Sequence, residues 1–200
     1  GLSEALALGE PTRVARALCT ESWTVIGYKR SYLQRMSAIL EAARSLVEKQ
    51  SSPLLDGHLK LAEGMTAVVR FAVHDAVART RDAERVFRDS CRGAAWEISV
   101  AQSYQQIALL LSARFGEAGT RYDAWTHEAQ ERGDVWGYAQ LKMLGAVGVK
   151  GAWAVGVAGR DDGPAGVDGA AGVAAGEVGR RPGPPWTALI EPVVACTLPI

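Results

Sequence analysis

The stretch LALGEPTRVARAL, Leu6 to Leu18, has the pattern of one helix that ends and another that begins across a three-residue corner. A similar corner occurs far downstream in AQERGDVWGYAQL, Ala129 to Leu141. Proline suits the first turn of a helix, because its missing N–H would be unpaired there in any case. Two such corners in one chain of 200 residues predict a stack of helix pairs.

Four helix starts share this kind of polar or glycine break, and they fall at Pro11, Pro53, Ala94 and Val135. These starts are 42, 41 and 41 residues apart, and Ser52 and Asp134 are suited to be N-caps. A constant step of about 41 residues is typical of helical-repeat arrays. The sequence therefore predicts an all-α fold, an antiparallel, right-handed solenoid of about seven helices.

Apolar residues recur at helical spacing along this region, as in the series Leu33, Met36, Ile39, Leu40, Ala43 and Val47. The most apolar segment, Ala94 to Phe115, is expected to lie in the middle of the stack. Within it, Trp96 shares a stripe with Val100, Ser103, Ile107 and Leu110–Leu111. We therefore expect Trp96 to be structural and buried against the neighbouring helix pair.

The composition changes after about Lys150. Residues 1–150 are rich in Ala, Leu, Arg, Glu and Gln, whereas residues 151–200 contain ten Gly and six Pro. Such a segment buries too little apolar surface to offset an ordering entropy of roughly 1–2 kcal/mol per residue. We predict a helical-repeat domain over 1–150 and a disordered or aberrant tail over 151–200.

The charges and cysteines exclude several classes of protein. Twenty-two basic residues balance twenty-two acidic ones, so no global field favours nucleic acid or an anionic membrane. Cys19, Cys91 and Cys196 lie far apart, without a disulfide or zinc pattern. The chain begins with Gly1, shows no signal peptide and has no apolar run of membrane length. The expectation is a cytoplasmic protein that is a piece of a longer one.

No motif for catalysis, a cofactor or a metal is complete. HEAQE at His127 has Glu131 where the zinc helix HExxH needs its second histidine. GAVGVKG, Gly145 to Gly151, lacks the spacing of a phosphate-binding loop. The kinase HRD and DFG elements are missing as well. We therefore predict no catalytic, cofactor-binding or metal-binding residue and no enzyme activity in this chain.

The remaining functional side chains have structural explanations. The histidines, His58, His74 and His127, are expected at the surface or at helix ends. The arginine-rich segment Arg79 to Arg92 is interleaved with acids, which predicts a solvated face with ion pairs Asp82–Arg85 and Glu84–Arg88.

The helical tryptophans are expected to fill gaps between layers. In an alternative interpretation Trp125 or Trp136 anchors a partner in the concave groove.

Two segments resemble one family: RVFRDSCRGAAWEISVAQ, Arg85 to Gln102, and EAQERGDVWGYAQLKM, Glu128 to Met143. They resemble the C-terminal, tetratricopeptide-like helical-repeat region of large bacterial serine/threonine protein kinases of the myxobacterial type. There the patterns are R-x-x-C-x-G-x-x-W-E and E-A-x-x-R-G-D. The residues that match are Cys91, Gly93, Trp96, Glu97, Glu128, Ala129, Arg132, Gly133 and Asp134.

This resemblance spans about Leu2 to Leu144 and implies structural roles for Gly93, Gly133 and Asp134. It also implies a kinase domain elsewhere in the parent protein. In the family, further helix pairs follow, whereas this chain passes into a Gly-, Ala- and Val-rich segment. GC-rich DNA read in a wrong frame yields such a composition, so we expect a frameshifted translation after about Leu144.

These observations predict a non-catalytic protein-interaction or regulatory module, a fragment of a bacterial serine/threonine kinase. Its partner would be a protein, such as the attached kinase domain or its substrates, and neither nucleic acid nor a membrane. A small-molecule sensor with a ligand between helices is the alternative, and it would need a closed apolar pocket. A fragment without an independent role is the third interpretation.

Overall fold

The computed structural model describes residues 1–24 and 30–154, and these ranges hold eight α-helices and no strand. The helices are α1 (Leu2–Leu8), α2 (Pro11–Thr24), α3 (Arg30–Val47), α4 (Pro53–Val69), α5 (Val73–Ser90), α6 (Ala95–Leu111), α7 (Phe115–Glu131) and α8 (Val135–Ala154). The predicted all-α class is confirmed. No helix in the described ranges has the length and apolar character needed to cross a membrane.

The chain divides into two compact units, Gly1–Gly148 and Val149–Ile200. Of the second unit, the structure describes only 149–154, the end of α8. Helix α8 thus runs four residues past the predicted boundary at 150, since Ala is the strongest helix former and a single Gly costs only about 1 kcal/mol. The disordered tail over 151–200 and the change of reading frame lie almost wholly outside the described residues and stay predictions.

The corners between helices follow the sequence closely. The predicted starts at Pro11, Pro53 and Val135 are confirmed, and α6 begins one residue after the predicted Ala94. Gly9 and Gly133 end α1 and α7 with φ near +67° and +66°, a left-handed conformation that glycine adopts without steric cost. Ser52 caps α4 as predicted, because its Oγ accepts a hydrogen bond from the Leu55 N–H at 3.5 Å.

The helices pack both with their neighbours in sequence and with the next helix but one. Contacts join α2 to α3, α4 to α5 and α6 to α7, and further contacts join α2 to α4, α3 to α4, α4 to α6 and α5 to α6. A buried cluster between α2, α3 and α4 follows from these contacts and contains Ala15, Cys19, Leu40, Ala43, Val47, Leu55, Leu59 and Ala62. Helix α4 therefore contacts four other helices of the first unit.

Helices α4 and α5 approach each other along two glycines. A Cβ built on Gly57 would lie 2.5 Å from the ring of Phe87, and one built on Gly64 would lie 2.6 Å from the Thr80 methyl group. Positions 57 and 64 ascend along α4 while 87 and 80 descend along α5, so the two helices are antiparallel. Phe87 and Thr80 occupy the space that side chains at these glycines would need.

Helix α6 is the most enclosed helix of the described part. Twelve of its seventeen residues are buried, which supports its expected central position. Half of these buried residues are nevertheless polar or charged, namely Glu97, Ser99, Gln102, Ser103, Gln105 and Gln106. In the part of the chain that the structure describes, neither polar atom of the Gln105 amide has a hydrogen-bond partner. The apolar stripe predicted for α6, which contains Val100 and Ile107, is therefore only one of several buried faces of that helix.

Candidate functional site

The first turns of α6 and α8 lie side by side, and the glycine corners before them set their positions. Gly93 precedes α6 with φ +74° and Gly133 precedes α8 with φ +66°. Asp134 caps α8, since its Oδ1 accepts a hydrogen bond from the Gly137 N–H at 2.8 Å. Its other oxygen accepts a hydrogen bond from the Ser99 hydroxyl of α6. The motif residues Gly133 and Asp134 thus fix α8 against α6.

Asp134→Ala is expected to lower the free energy of unfolding by about 1–2 kcal/mol, because it removes the cap and the contact with Ser99. Urea unfolding followed by circular dichroism measures this loss. Asp134→Asn is the matched control, because asparagine caps a helix as well as aspartate does. A loss as large in the asparagine variant as in the alanine variant would show that the carboxylate charge matters more than the cap.

Trp96 is 50 % exposed, so the prediction that it is buried is wrong. The central members of its stripe, Val100, Ser103 and Ile107, are buried, whereas Leu110 and Leu111 at its far end are half-buried. Trp96 lies in the first turn of α6, at the end of that stripe, where the covering helices no longer reach across it. Sequence periodicity gives the face of a helix on which a residue lies, but it does not give the point along the axis at which the neighbours stop.

The exposed ring of Trp96 packs against Trp136 of α8, with ring centroids 6.1 Å apart and planes tilted by 37°. Trp136 itself is half-buried, and Val135 beside it is 79 % exposed. We define Trp96, Val135 and Trp136 as the tryptophan surface. Two indoles and an isopropyl group at adjacent helix starts make an apolar surface that water contacts directly. Trp136, one of the two predicted partner anchors, therefore lies where a partner could reach it.

Trp125, the other predicted anchor, is 5 % exposed and is therefore not available to a partner. It lies in α7, where the Arg121 guanidinium stacks over its ring at 5.6 Å from the centroid. Its burial matches the general expectation that tryptophans fill gaps between helices. The sequence could not separate Trp125 from Trp136, because both are tryptophans on helices and only the packing of α7 decides which is covered.

Behind the tryptophan surface, a charged network joins α5, α6 and α7. Arg88 contacts Glu84 at 2.9 Å and binds both oxygens of Glu128, at 2.7 and 2.6 Å. Gln102 of α6 donates to the same two carboxylates at 3.0 and 3.1 Å. Arg132 also pairs with Glu128 and lies 3.5 Å from Asp134.

The network is saturated by its own partners. Burial alone would raise the pKa of Glu128, but the hydrogen bond and charge of Arg88, aided by Arg132, hold it below its ordinary value. The hydrogen bond to Glu128 in turn raises the pKa of Arg88. The predicted ion pairs Asp82–Arg85 and Glu84–Arg88 are confirmed, although Glu84 is buried and not on a solvated face. Carboxylates held in this way are structural and are poor general bases.

His58 is buried between α2, α4 and α6, so its expected surface location is wrong. Its Nε2 lies 3.7 Å from Glu97 and has no hydrogen-bond partner among the described residues, and its ring meets Phe87 edge-on at 5.5 Å. Burial, together with the positive charge of Arg16, lowers the pKa of His58 to about 4. Glu97 does not hold the proton on the imidazole, because Arg16 contacts the same carboxylate at 3.4 Å.

Acid should therefore destabilise the fold through His58. An unfolded histidine has a pKa near 6.5, so between pH 6.5 and 4 the unfolded chain binds more protons and stability falls as the pH falls. The loss attributable to His58 is at most about 3 kcal/mol. Chemical unfolding at several pH values checks this. His58→Gln should flatten the slope in this window, whereas His127→Gln, at an exposed site, should leave it unchanged.

A cleft of about 550 Å³ lies where α3, α4 and α5 meet. Its charges pair with one another: Glu63 contacts Arg44 at 2.8 Å and Arg79 at 3.2 Å, and Lys60 pairs with Asp56. The described residues contain no group of three or more His, Cys, Asp or Glu that could hold a metal ion. The cleft is open and polar, and it does not have the closed apolar lining that a small-molecule sensor needs.

Comparison of the chain with protein-family models, curated proteins and solved structures gives no match.

Proposed function

We propose that this chain is a non-catalytic protein-interaction and regulatory module, and that the tryptophan surface is its partner-binding site. The proposal depends on one observation: Trp96 is half exposed and stacked against Trp136 at the N-terminal ends of two adjacent helices. Exposed apolar patches mark interaction sites on soluble domains. Tryptophan also carries a large share of the binding energy at protein interfaces.

We further propose that the helices form an antiparallel solenoid of helix pairs. The first residues of α2, α4, α6 and α8 are 42, 42 and 40 residues apart, which supports a regular repeat. The contacts of α4 with both α2 and α6 support stacking of successive pairs. In a solenoid, equivalent positions of the repeats line one continuous surface. Leu54, Trp96 and Trp136 are each the second residue of their helix.

The kinase parentage is part of this proposal and is supported by the matched motif residues. Gly93 and Gly133 stand at positive-φ corners, and Glu128, Arg132 and Asp134 belong to the polar contacts that join the helices. Residues with such roles recur in a family because the stack needs them. In a kinase, a module of this type would dock a substrate or hold the catalytic domain in one state, provided that it binds the two states differently.

Selection from a library of random peptides on the immobilised protein tests the binding function. We expect enriched peptides that bind the wild-type protein and lose at least tenfold in affinity for the double variant Trp96→Ala/Trp136→Ala. In this variant the half-exposed Trp96 and the half-buried Trp136 each lose only part of the burial of a core tryptophan, about 2–4 kcal/mol for each substitution. Circular dichroism confirms that it is folded.

The matched control is Leu6→Ala/Leu8→Ala, which removes two exposed leucines of α1 and should leave binding unchanged. Enriched peptides that bind the tryptophan double variant as well as the wild-type protein would contradict the assignment of the site. The absence of any enriched peptide would contradict the interaction function itself. Calorimetry with Mg-ATP tests the non-catalytic part, and saturable micromolar binding would overturn it.

A further inference from the structure

Three arginines converge on a single carboxylate where α5 meets the start of α7. Arg81 of α5 donates a hydrogen bond to Glu117 Oε1 at 2.8 Å, and Arg121 of α7 donates one to the same oxygen at 3.1 Å. Arg114, which precedes α7, donates to the other oxygen of Glu117. Among the residues that the structure describes, none of the three arginines pairs with a second acid. We define Arg81, Arg114 and Arg121 as the arginine triad.

The charges at the arginine triad are three positive and one negative. Burial alone would raise the pKa of Glu117, but the hydrogen bond from Arg121 and the charges of the three arginines hold that pKa below its ordinary value. Glu117 is therefore ionised at neutral pH and cancels only one of the three positive charges. The acids in the middle of α5, Asp82 and Glu84, are paired elsewhere, the first with Arg85 at 2.7 Å and the second in the charged network described above.

Two exposed acids on these helices, Asp75 and Asp123, stand on faces other than that of the triad. Asp75 precedes Arg81 by six residues, which places it roughly 120° around α5 and about 9 Å along its axis. Asp123 follows Arg121 by two residues and stands roughly 160° around α7 from it. The triad therefore keeps a surplus of two positive charges, although the chain as a whole is neutral.

The arginine triad is accessible to an anion from solvent, because all three side chains are partly exposed. Each guanidinium has five N–H donors and uses one of them for Glu117. The Arg121 guanidinium also stacks over the buried ring of Trp125 at 5.6 Å from its centroid, which limits its motion. The triad thus combines its surplus charge with several donors on two helices that are already joined.

We propose that the arginine triad binds a phosphate dianion, either as the free ion or as the monoester of a phosphorylated serine or threonine side chain. Such a monoester carries about −1.5 to −2 charges at pH 7, which matches the surplus of two positive charges. Arginine suits this ligand because its planar guanidinium can bind two phosphate oxygens at once. The triad lies beyond the C-terminal end of α6, about 25 Å along the helix axis from the turn that carries Trp96, so it is separate from the tryptophan surface.

The test uses a labelled peptide of glycine and alanine with one central phosphoserine, its unphosphorylated form as the matched control, and inorganic phosphate as a competitor. Fluorescence anisotropy measures the dissociation constants. We expect the phosphorylated peptide to bind at least about tenfold more tightly than the unphosphorylated one, because charge-assisted bonds to arginine are strong. Binding should strengthen from pH 5.5 to 7.5, since phosphate loses its second proton near pH 6. The probe with the lower dissociation constant, peptide or inorganic phosphate, identifies the source of the dianion.

Two variants should change this affinity in opposite directions. Arg81→Gln is expected to weaken binding about fivefold, and Glu117→Gln should tighten it by about the same factor, because it removes the competing carboxylate. The matched control is Arg13→Gln, which removes the same charge from an exposed arginine of α2 and should leave the affinity unchanged. Circular dichroism checks that each variant is folded.

Three results would overturn the inference. The first is equal affinity for the phosphorylated and unphosphorylated peptides. The second is an equal loss in Arg81→Gln and Arg13→Gln, which would show an effect of net charge alone. The third is weaker binding by Glu117→Gln, which would show that the surplus of positive charge does not hold the phosphate. None of these results bears on the tryptophan surface.

Discussion

Replacing Phe87 with alanine is expected to lower the free energy of unfolding by about 3–5 kcal/mol. The Phe87 side chain is completely buried in α5, packs into the space above Gly57 of α4, and meets the His58 ring edge-on. Glycine at position 57 leaves room for the Phe87 ring. Loss of that ring would leave a cavity between α4 and α5, which are already close together. Their rigid backbones could collapse into that cavity only in part.

Urea unfolding followed by circular dichroism measures this loss. The matched control is Phe71→Ala, the same change at a phenylalanine that is 43 % exposed, where a smaller loss of about 1–2 kcal/mol is expected. Gly57→Ala should also destabilise the fold, since a methyl group there would collide with the ring. Equal losses for Phe87→Ala and Phe71→Ala would contradict the close packing of α4 against α5.

Replacing Arg88 with methionine is expected to cost about 2–4 kcal/mol. This residue contacts Glu84, whose side chain is 10 % exposed, and Glu128, whose side chain is 27 % exposed. Without the guanidinium, the nearly buried Glu84 would lose its cationic partner, and leaving one member of a poorly hydrated ion pair unpaired is costly. The partial exposure of Glu128 keeps the cost below that of a fully buried pair.

The pH dependence separates this charge effect from a loss of packing. Arg88 helps to hold the pKa of Glu128 in the folded protein below its ordinary value. The stabilisation that results is complete above the pKa of Glu128 in the unfolded chain, and it is lost as the pH falls through the lower pKa of the folded protein. The deficit of Arg88→Met should therefore be smaller at pH 4 than at pH 7. Arg85→Met, at a side chain that is 68 % exposed, is the matched control, with an expected loss below about 1 kcal/mol. A deficit independent of pH would indicate lost packing alone.

The helix boundaries could be predicted from the sequence because local chemistry fixes them. Proline in a first turn, glycine with positive φ after a last turn, and the caps Ser52 and Asp134 act within a few residues of the corner. The ion pairs Asp82–Arg85 and Glu84–Arg88 could be predicted for the same reason, since their spacing places both partners on one helix face. Each of these features depends only on neighbours in the chain.

The exposure of individual side chains depends on other helices and could not be predicted in this way. Trp96 and Trp125 are both tryptophans on helices, yet one is half exposed and the other is buried. His58 is buried because α2 and α6 both pack against α4 at its level, and Glu84 because Gln102 of α6 covers it. The site therefore depends on packing between helices, which the spacing of residues along the chain does not define.

The most direct test of the tryptophan surface is a two-dimensional ¹H–¹⁵N spectrum of the indole N–H groups, recorded while a library-selected peptide is added. Each tryptophan gives one indole signal, and single Trp→Phe variants assign them. We expect the Trp96 and Trp136 signals to shift saturably with the peptide, while the signal of the buried Trp125 stays in place. A saturable shift of Trp125 with Trp96 and Trp136 unmoved would contradict the proposed site.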